Sequence, residues 1–560
     1  MMQYLSITRY SSSSFLTIST FGKRLLAPPV LCPIALLLLV IMLWIPFGLN
    51  IGFVSDGWHH LSEVDQGGHI SVPLRPFLSL AWRIVYLVLP ESFIGFNLLL
   101  SGLLFLKSIL LLQIAKEVGL SMWFAFALAC VAIMIPADTG IFWLGALVRH
   151  LDVVNLLLAT WALVRYWKYK RLTSLIIMWL ALGLAAGSYE VTFVFAAAAP
   201  LLLILLNRGL SRRVIRVTAL WYAVPLAFGL RYASLLISQP TSGAYQNDLL
   251  DLSASVGELF QSTNIALQRH FLSGWLILDS PIVPGYLALG LLAGIIAFLV
   301  SRRLMRVSDL SPILVNERTY LYVFLAGALI MVLGLLPFLI TNLRMETTRT
   351  YYYSSIGASL IVTALLGWIF VARLQRPALF AGGLALLAGL GMMSLLHQHA
   401  RWVDYSVAQQ RMSSELIHEL GAILPGTTIV VVDESSQPSD QAVFGASWYL
   451  SNIVNILYQD YTLRAVICDL NVAAPWGSMS EGCQFGSDGI TFTLRNVPMY
   501  HATYDSIVVV RHLDSGRYEI VPDLSRLGLN DSGYDPSNRV SPSGPLPTRL
   551  ETLFGIRLND

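Results

Sequence analysis

Residues 30–65 read VLCPIALLLLVIMLWIPFGLNIGFVSDGWHHLSEVD. The first twenty, Val30 to Leu49, carry no charge and are long enough to cross a hydrocarbon core about 30 Å thick. The chain then turns polar within a few residues. Twenty-nine residues precede this run and no small-residue cleavage site follows it, so it reads as a retained helix and not a signal peptide. Ten further apolar stretches repeat the pattern: Phe93 to Ile114, Met122 to Ile135, Leu151 to Val164, Leu175 to Ala186, Val191 to Leu206, Val217 to Ile237, Tyr286 to Val300, Tyr320 to Ile340, Ile356 to Val371 and Leu379 to Leu396. The composition agrees, because 56% of the 560 residues are hydrophobic and only 12% charged, about half the charged share of a soluble domain. The mean hydropathy of +0.66 points the same way. The expected fold is a polytopic all-α membrane bundle of about eleven spans.

Basic residues set the orientation. Lys23 and Arg24 precede the first span, and alternate loops carry Lys116; Arg165, Lys168, Lys170 and Arg171; Arg208, Arg212, Arg213 and Arg216; Arg302, Arg303 and Arg306; and Arg373 and Arg376. The positive-inside rule puts these loops and the amino terminus in the cytoplasm. A net charge of +3, spread this way, leaves no nucleic-acid footprint. The expected setting is the plasma membrane of a prokaryote.

The chain divides into a cytoplasmic segment 1–29, a membrane domain 30–398 with an external loop 51–91, and an extracytoplasmic domain 399–560. Beyond residue 400 there is no lysine, with ten arginines against eighteen acidic residues. Short β-rich runs, Thr428 to Val432, Ala465 to Cys468, Ile490 to Leu494 and Ile507 to Arg511, flank a helical stretch, Ser447 to Tyr458, and predict a small α/β or α+β domain. A loop is expected over Asp535 to Pro547. Cys32 and Cys130 fall in apolar spans as packing residues. Cys468 and Cys483 lie outside the membrane, where a disulfide is chemically permitted and closes a short loop, adding about 3 kcal/mol.

Ionisable residues gather on the outer face. The first external loop holds Asp56, His59, His60, Glu63, Asp65 and His69, followed by Arg75 and an interfacial segment, Phe77 to Leu89. Asp138, Arg149, His150 and Asp152 lie where the third and fourth spans meet, Tyr189 and Glu190 in the turn between the fifth and sixth. The stretch 341–357, TNLRMETTRTYYYSSIG, adds Arg344, Glu346 and Arg349. Arginine forks match phosphate oxygens, and a nearby carboxylate can take the proton of an incoming hydroxyl. This suits an anionic lipid-linked substrate, with Asp56 as base, Glu63 or Asp65 as the alternative base, and Arg75, Arg149, Arg344 and Arg349 as phosphate ligands. Asp152 and Glu190 are expected in support, and an ion pair between helices is an equally good role for Glu190 and Arg149. Adjacent histidines without a cysteine set or HExxH spacing predict no metal and no cofactor, a divalent cation being the lesser expectation. No Walker-type loop, dinucleotide fingerprint or serine elbow is present.

These residues resemble a family. VSDGWHH (54–60), PLRPFLSLAWRIVYLVLPESFIGFNLLL (73–100), PADTGIFWLGALVRHLDVVNLLLATWALVRYWKY (136–169), GSYEVTFVFAAAAPLLL (187–203) and RTYYYSSIGASL (349–360) follow the order of motifs in the C-type integral-membrane glycosyltransferases. The likeness is greatest to the branch of transmembrane and tetratricopeptide-repeat O-mannosyltransferases and their bacterial relatives. It implies an external carboxylate base, Asp56 by position, a polyprenyl-phosphate sugar as donor, and inversion at the anomeric carbon; the acceptor is a glycan, lipid or protein hydroxyl. The chain departs from the pattern at Gly57, where a second acid is usual, at Tyr189 in place of lysine, at Ser354 in place of proline, and by one extra residue between Arg149 and Asp152. No tetratricopeptide period follows the last span. A transporter or flippase for lipid-linked glycans, the competing reading, should show mirrored mid-span ionisable groups, and Lys107 and Gln113 have no mirrored counterpart. An inactive scaffold with an external binding domain is the third reading.

The alternating basic loops make a direct prediction. A reporter fused after Arg401 should score as extracytoplasmic and one fused after Arg213 as cytoplasmic; the same side for both would overturn the eleven-span topology.

Overall fold

The computed structural model describes residues 27–67, 75–90, 92–207, 209–238, 253–276, 281, 283–307, 317–341, 344, 350–433, 447–469, 481–494, 497–513, 516–527 and 533–554. His69, Glu346 and Arg349 lie outside them. Every one of the eleven apolar stretches is helical. Among the described residues, seven helices are long and apolar enough to cross a membrane. They are α4 (Phe93–Glu117), α6 (Leu147–Tyr169, entered through a 3-10 turn at Leu144–Ala146), α10 (Arg212–Ser238), α12 (Pro284–Val307), α13 (Glu317–Leu339), α14 (Ser354–Leu366, continued as a π-helix to Arg373) and α15 (Pro377–Leu420). The remaining stretches form the shorter apolar helices α1 (Pro28–Met42), α5 (Met122–Met134), α7 (Leu172–Ser188), and α8 with α9 (Thr192–Ala196 and Leu201–Asn207). Outside these lie α2 (Asp56–Asp65), α3 (Leu80–Val88) and α11 (Val256–Gln268). The chain is an integral membrane protein by this measure.

Helix pairing follows small residues. α12 runs along α15 because Gly290 and Gly294 present bare backbone to it: a Cβ on Gly294 would sit 2.9 Å from the carbonyl of Ala385, and one on Gly290 3.0 Å from that of Gly389. The polar ends also sort. At one end Glu117 takes Lys168 at 3.4 Å and Arg165 at 3.8 Å, Arg213 donates to the carbonyl of Trp167, and Arg373 pairs with Glu317 at 3.1 Å. At the other end lie α2, α3, the segment 135–143 and the whole C-terminal domain.

Among the described residues of the first external loop, Asp56–Asp65 is the helix α2 where a loop is expected, and the expected interfacial segment Phe77 to Leu89 carries α3. The boundary placed at 398/399 falls inside α15, which continues unbroken to Leu420. The C-terminal domain is α/β. β2 (Thr428–Asp433) lies parallel between β3 (Arg464–Asp469) and β7 (Ile507–His512), with β8 (Tyr518–Ile520) antiparallel at the edge of β7. α16 (Ser447–Tyr458) is the crossover between β2 and β3. Ile429 to Val432 are all buried, as a strand covered on both faces requires. β4 (Glu481–Phe485), β5 (Gly489–Leu494) and β6 (Val497–Thr503) form an antiparallel sheet beside it. Cys468 on β3 and Cys483 on β4 form a disulfide that ties the two sheets, with Cα atoms 5.4 Å apart. Cys32 and Cys130 are free and buried. Within the stretch expected as loop, Asp535 to Pro547, β9 (Val540–Ser541) pairs with β1 (Ala422–Ile423) from the end of α15, and the described chain ends in α17 (Arg549–Phe554).

The C-terminal domain is fastened to α2. Arg549 donates through Nη1 and Nη2 to the carboxylate of Asp65 at 2.6 and 2.9 Å, and Tyr86 and Tyr461 donate to the same carboxylate. Both charged side chains are mostly buried, at 12% and 6% exposure. Removing one partner of such a pair strands the other's charge away from water, at a cost of about 3–5 kcal/mol. Arg549→Met should therefore lower the unfolding temperature of the purified protein and expose α15 near residue 420 to protease. The double change Arg549→Met with Asp65→Asn should recover part of that loss.

Candidate functional site

The turn into α2 is strained. Ser55 sits at φ 53°, ψ −120°, a region that favours glycine, and the amides of Gly57 and Trp58 bond back to Val54 and Ser55 at 3.2 and 3.0 Å. The approach is pinned from both sides, as Asn97 Nδ2 donates to the carbonyl of Ile51 at 2.9 Å and Trp143 Nε1 to that of Val54 at 3.0 Å. Asp56 thus opens the helix, in the first turn where free amides favour an anion. One face of α2 is buried through Trp58, whose Nε1 donates to Gln409 Oε1 at 3.1 Å, and Leu61. Asp56, His59, His60 and Glu63 recur at i, i+3, i+4 and i+7, one stripe along the helix.

Tyr449 of α16 reaches into this stripe and donates its hydroxyl to Asp56 Oδ1 at 2.5 Å. The imidazole of His60 rests against Trp82, with ring centroids 5.2 Å apart. Burial pushes His60 down to about 4; the carboxylate of Asp56 opposes this, while His59, Arg75 and Arg149 add to it. One side chain therefore feels the acid and both guanidiniums, which come from three separate parts of the chain.

Arg75 is committed to Glu190: its Nε donates to Oε2 at 2.7 Å and its Nη2 to Oε1. Burial alone would raise Glu190, but Arg75 outweighs it and holds the carboxyl below its usual range. Arg149, in the first turn of α6, is buried and lies over the rings of Trp143 (5.6 Å) and Tyr189 (5.8 Å), while Arg75 covers Tyr189 at 4.7 Å. Tyr189 is thus placed between two cations. Among the described residues no carboxylate forms an ion pair with Arg149.

The other expected residues divide. Asp152 is fully buried in α6, where its Oδ2 accepts from Thr192 Oγ1 at 2.5 Å and from Tyr353, which makes it a fastener of α8 and the tyrosine segment. The neighbouring hydroxyl of Tyr352 bonds His150 Nδ1 at 2.5 Å, and the Lys107 ammonium lies 5.4 Å from the Tyr352 ring. Arg344 is buried, 7% exposed. Asp65 is drawn into the Arg549 node; burial would raise it, yet the bonds from Arg549, Tyr461 and Tyr86 keep it below the usual carboxylate range. It is a structural anion, bonded by Arg549, Tyr86 and Tyr461. Glu63 is raised by burial, with His59 opposing. His59, His60 and Glu63 offer ligand atoms that all lie within 4.8 Å of one another, the one such metal-sized group among the described residues. Asp138, whose Oδ1 accepts from the Gly140 amide at 2.8 Å, is pushed up to about 7 by burial.

Sequence reasoning did not find Tyr449, Tyr461 or Arg549. The Ser447–Tyr458 helix was legible from its apolar spacing, but no local signal says that its first turn lies over Asp56.

No family model matches the chain and no curated protein matches it. Among solved structures, the chain is similar to ArnT from Cupriavidus metallidurans bound to undecaprenyl phosphate, at 12% identity and a TM-score of 0.36, covering 77% of this chain and 89% of that one. The apo state of the same protein gives 12% identity and a TM-score of 0.34, with 83% and 87% covered. Likeness this distant carries nothing over to the chemistry of the present chain.

Gly57 has a local explanation. A Cβ there would lie 2.9–3.1 Å from three carbons of Phe53, itself wedged among Trp58, Trp82, Phe93 and Phe96. Gly57→Asp, which restores the acid pair of the resembled family, should cost about 1–3 kcal/mol of stability by overpacking. Thermal unfolding of the purified variant checks this; an unchanged unfolding temperature would show that Phe53 has room to move.

Proposed function

We propose that the chain is an inverting glycosyltransferase of the C-type fold, moving a sugar from a polyprenyl phosphate to an acceptor hydroxyl on the outer face of a membrane. In this reading eleven spans cross the bilayer, with the amino terminus inside and the C-terminal domain outside. The carrying observation is Arg149: a buried guanidinium that forms no close ion pair among the described residues, with Glu190 and Asp138 within its electrostatic reach, and acting on the same imidazole as Asp56. An arginine kept this way is costly unless an anion completes it, and a phosphate does so.

The roles follow from the geometry. Asp56, held by Tyr449, takes the proton of the acceptor hydroxyl as its oxygen attacks the anomeric carbon. The bond from that carbon to the phosphate oxygen breaks on the opposite face. Arg149 neutralises the charge that grows on the leaving phosphate, with Arg344 and Arg349 as further candidates, and Arg75 acts chiefly by holding Glu190. The phosphate departs ionised, so no general acid is needed. Alternation of the basic loops, the motif order and the burial of Arg149 all support the reading.

Asp56→Asn keeps size and removes the base. Transfer from labelled polyprenyl-phosphate sugars in membranes should fall at least about 10²-fold while donor binding persists. Arg149→Lys should instead weaken donor binding, because a point charge cannot reproduce a two-pronged contact. Transfer that survives in Asp56→Asn would reject the mechanism.

A further inference from the structure

The geometry points to a zinc-type metal site on α2, formed by His59, His60 and Glu63. The three occupy one helical stripe, Glu63 being three residues from His60 and four from His59, so the backbone already brings them to one side. Their ligand atoms lie within 4.8 Å of one another. His59 Nε2 and Glu63 Oε1 stand 3.5 Å apart, too long for a good hydrogen bond. Two ligands each about 2.1 Å from a tetrahedral ion are separated by about 3.4 Å. The pair is therefore spaced as co-ligands.

A second observation is independent of that spacing. His60 Nδ1 and Glu63 Oε2 are both shut off from solvent and have no hydrogen-bond partner among the described residues. Buried polar atoms are nearly always satisfied, and orphans on two adjacent potential ligands mark a place where something else binds. Two imidazoles and one carboxylate select a first-row transition ion, zinc above all, over magnesium or calcium, which prefer oxygen. Three protein ligands leave one position for water or an anion. Asp56 stands one turn earlier on the stripe, so the ion would fix the helix that carries it. The binding itself does not rest on the transferase reading.

The test uses the full chain, without a polyhistidine tag, purified in detergent and stripped with chelator. Titration with Zn²⁺ against a chromophoric competitor should give one ion per chain, and Co²⁺ should give the visible spectrum of a four-coordinate site. His59→Asn, which alters a half-exposed side chain and should fold normally, and Glu63→Gln should each weaken Zn²⁺ binding at least tenfold and abolish that spectrum. His397→Ala, which changes an imidazole packed on Tyr286 of α12, should leave both unchanged. No stoichiometric uptake would overturn the proposal, as would uptake unaltered in variants that elute and melt like the parent, or lost equally in His397→Ala.

Discussion

Arg549 reaches back across 484 positions to put two N–H groups on the carboxylate of Asp65, and where Asp56 can stand depends on that contact. α2 is only ten residues long, too short to hold its shape alone in water. It is held by what it packs against: Gln409 of α15 on Trp58, the Arg549 node at its C-terminal end, and Tyr449 at its N-terminal end. With both ends tied to the C-terminal domain, the carboxylate of Asp56 has one address. That domain is therefore part of the site.

The departures from the family pattern are consistent with one another once the neighbours are seen. Gly57 leaves space for Phe53 in an aromatic cluster that walls the back of α2. Tyr189, where a lysine is usual, avoids a third cation beside Arg75 and Arg149 and offers its ring to both. Ser354, where a proline is usual, places its hydroxyl 3.0 Å from His270 Nε2 and 3.1 Å from the carbonyl of Tyr351, so that it can donate to either, which proline cannot do. Each change exchanges one local contact for another and keeps the surrounding helices in position.

The sequence was legible where a signal is local and periodic. The long apolar runs became helices, the β-rich runs of the C-terminal domain became strands within a residue or two, and the two external cysteines, 15 positions apart, formed the disulfide. It was not legible where the decision is tertiary. α2 mixes Asp56, His59, His60, Glu63 and Asp65 with few apolar residues and reads as loop until Trp58 and Leu61 are given something to pack on. Asp56 and Asp65, two acids nine residues apart, differ in the one-dimensional pattern only by their distance from the first span. Only the arrival of Arg549 turns one into a structural anion, while the other takes the hydroxyl of Tyr449. Long-range pairs of this kind leave no trace in composition or spacing.

α15 explains how so remote a pairing can be accurate. At about 1.5 Å per residue its 44 residues extend about 66 Å, roughly twice a hydrocarbon core. Its first half, to Leu396, is apolar; its second carries Arg401, Asp404, Gln409, Gln410 and Arg411. Along that second half Trp402 donates to the carbonyl of Thr139, Gln409 receives Trp58, and Glu419 accepts from the amide of Ile520 in β8. One rigid rod thus touches the loop beside Asp138, the helix bearing Asp56 and the sheet that delivers Tyr449. A helix has no soft torsions to absorb error, so placing the sheet at its end fixes the sheet relative to the bundle. Local ties such as Arg549 to Asp65 then need only close a small remaining gap.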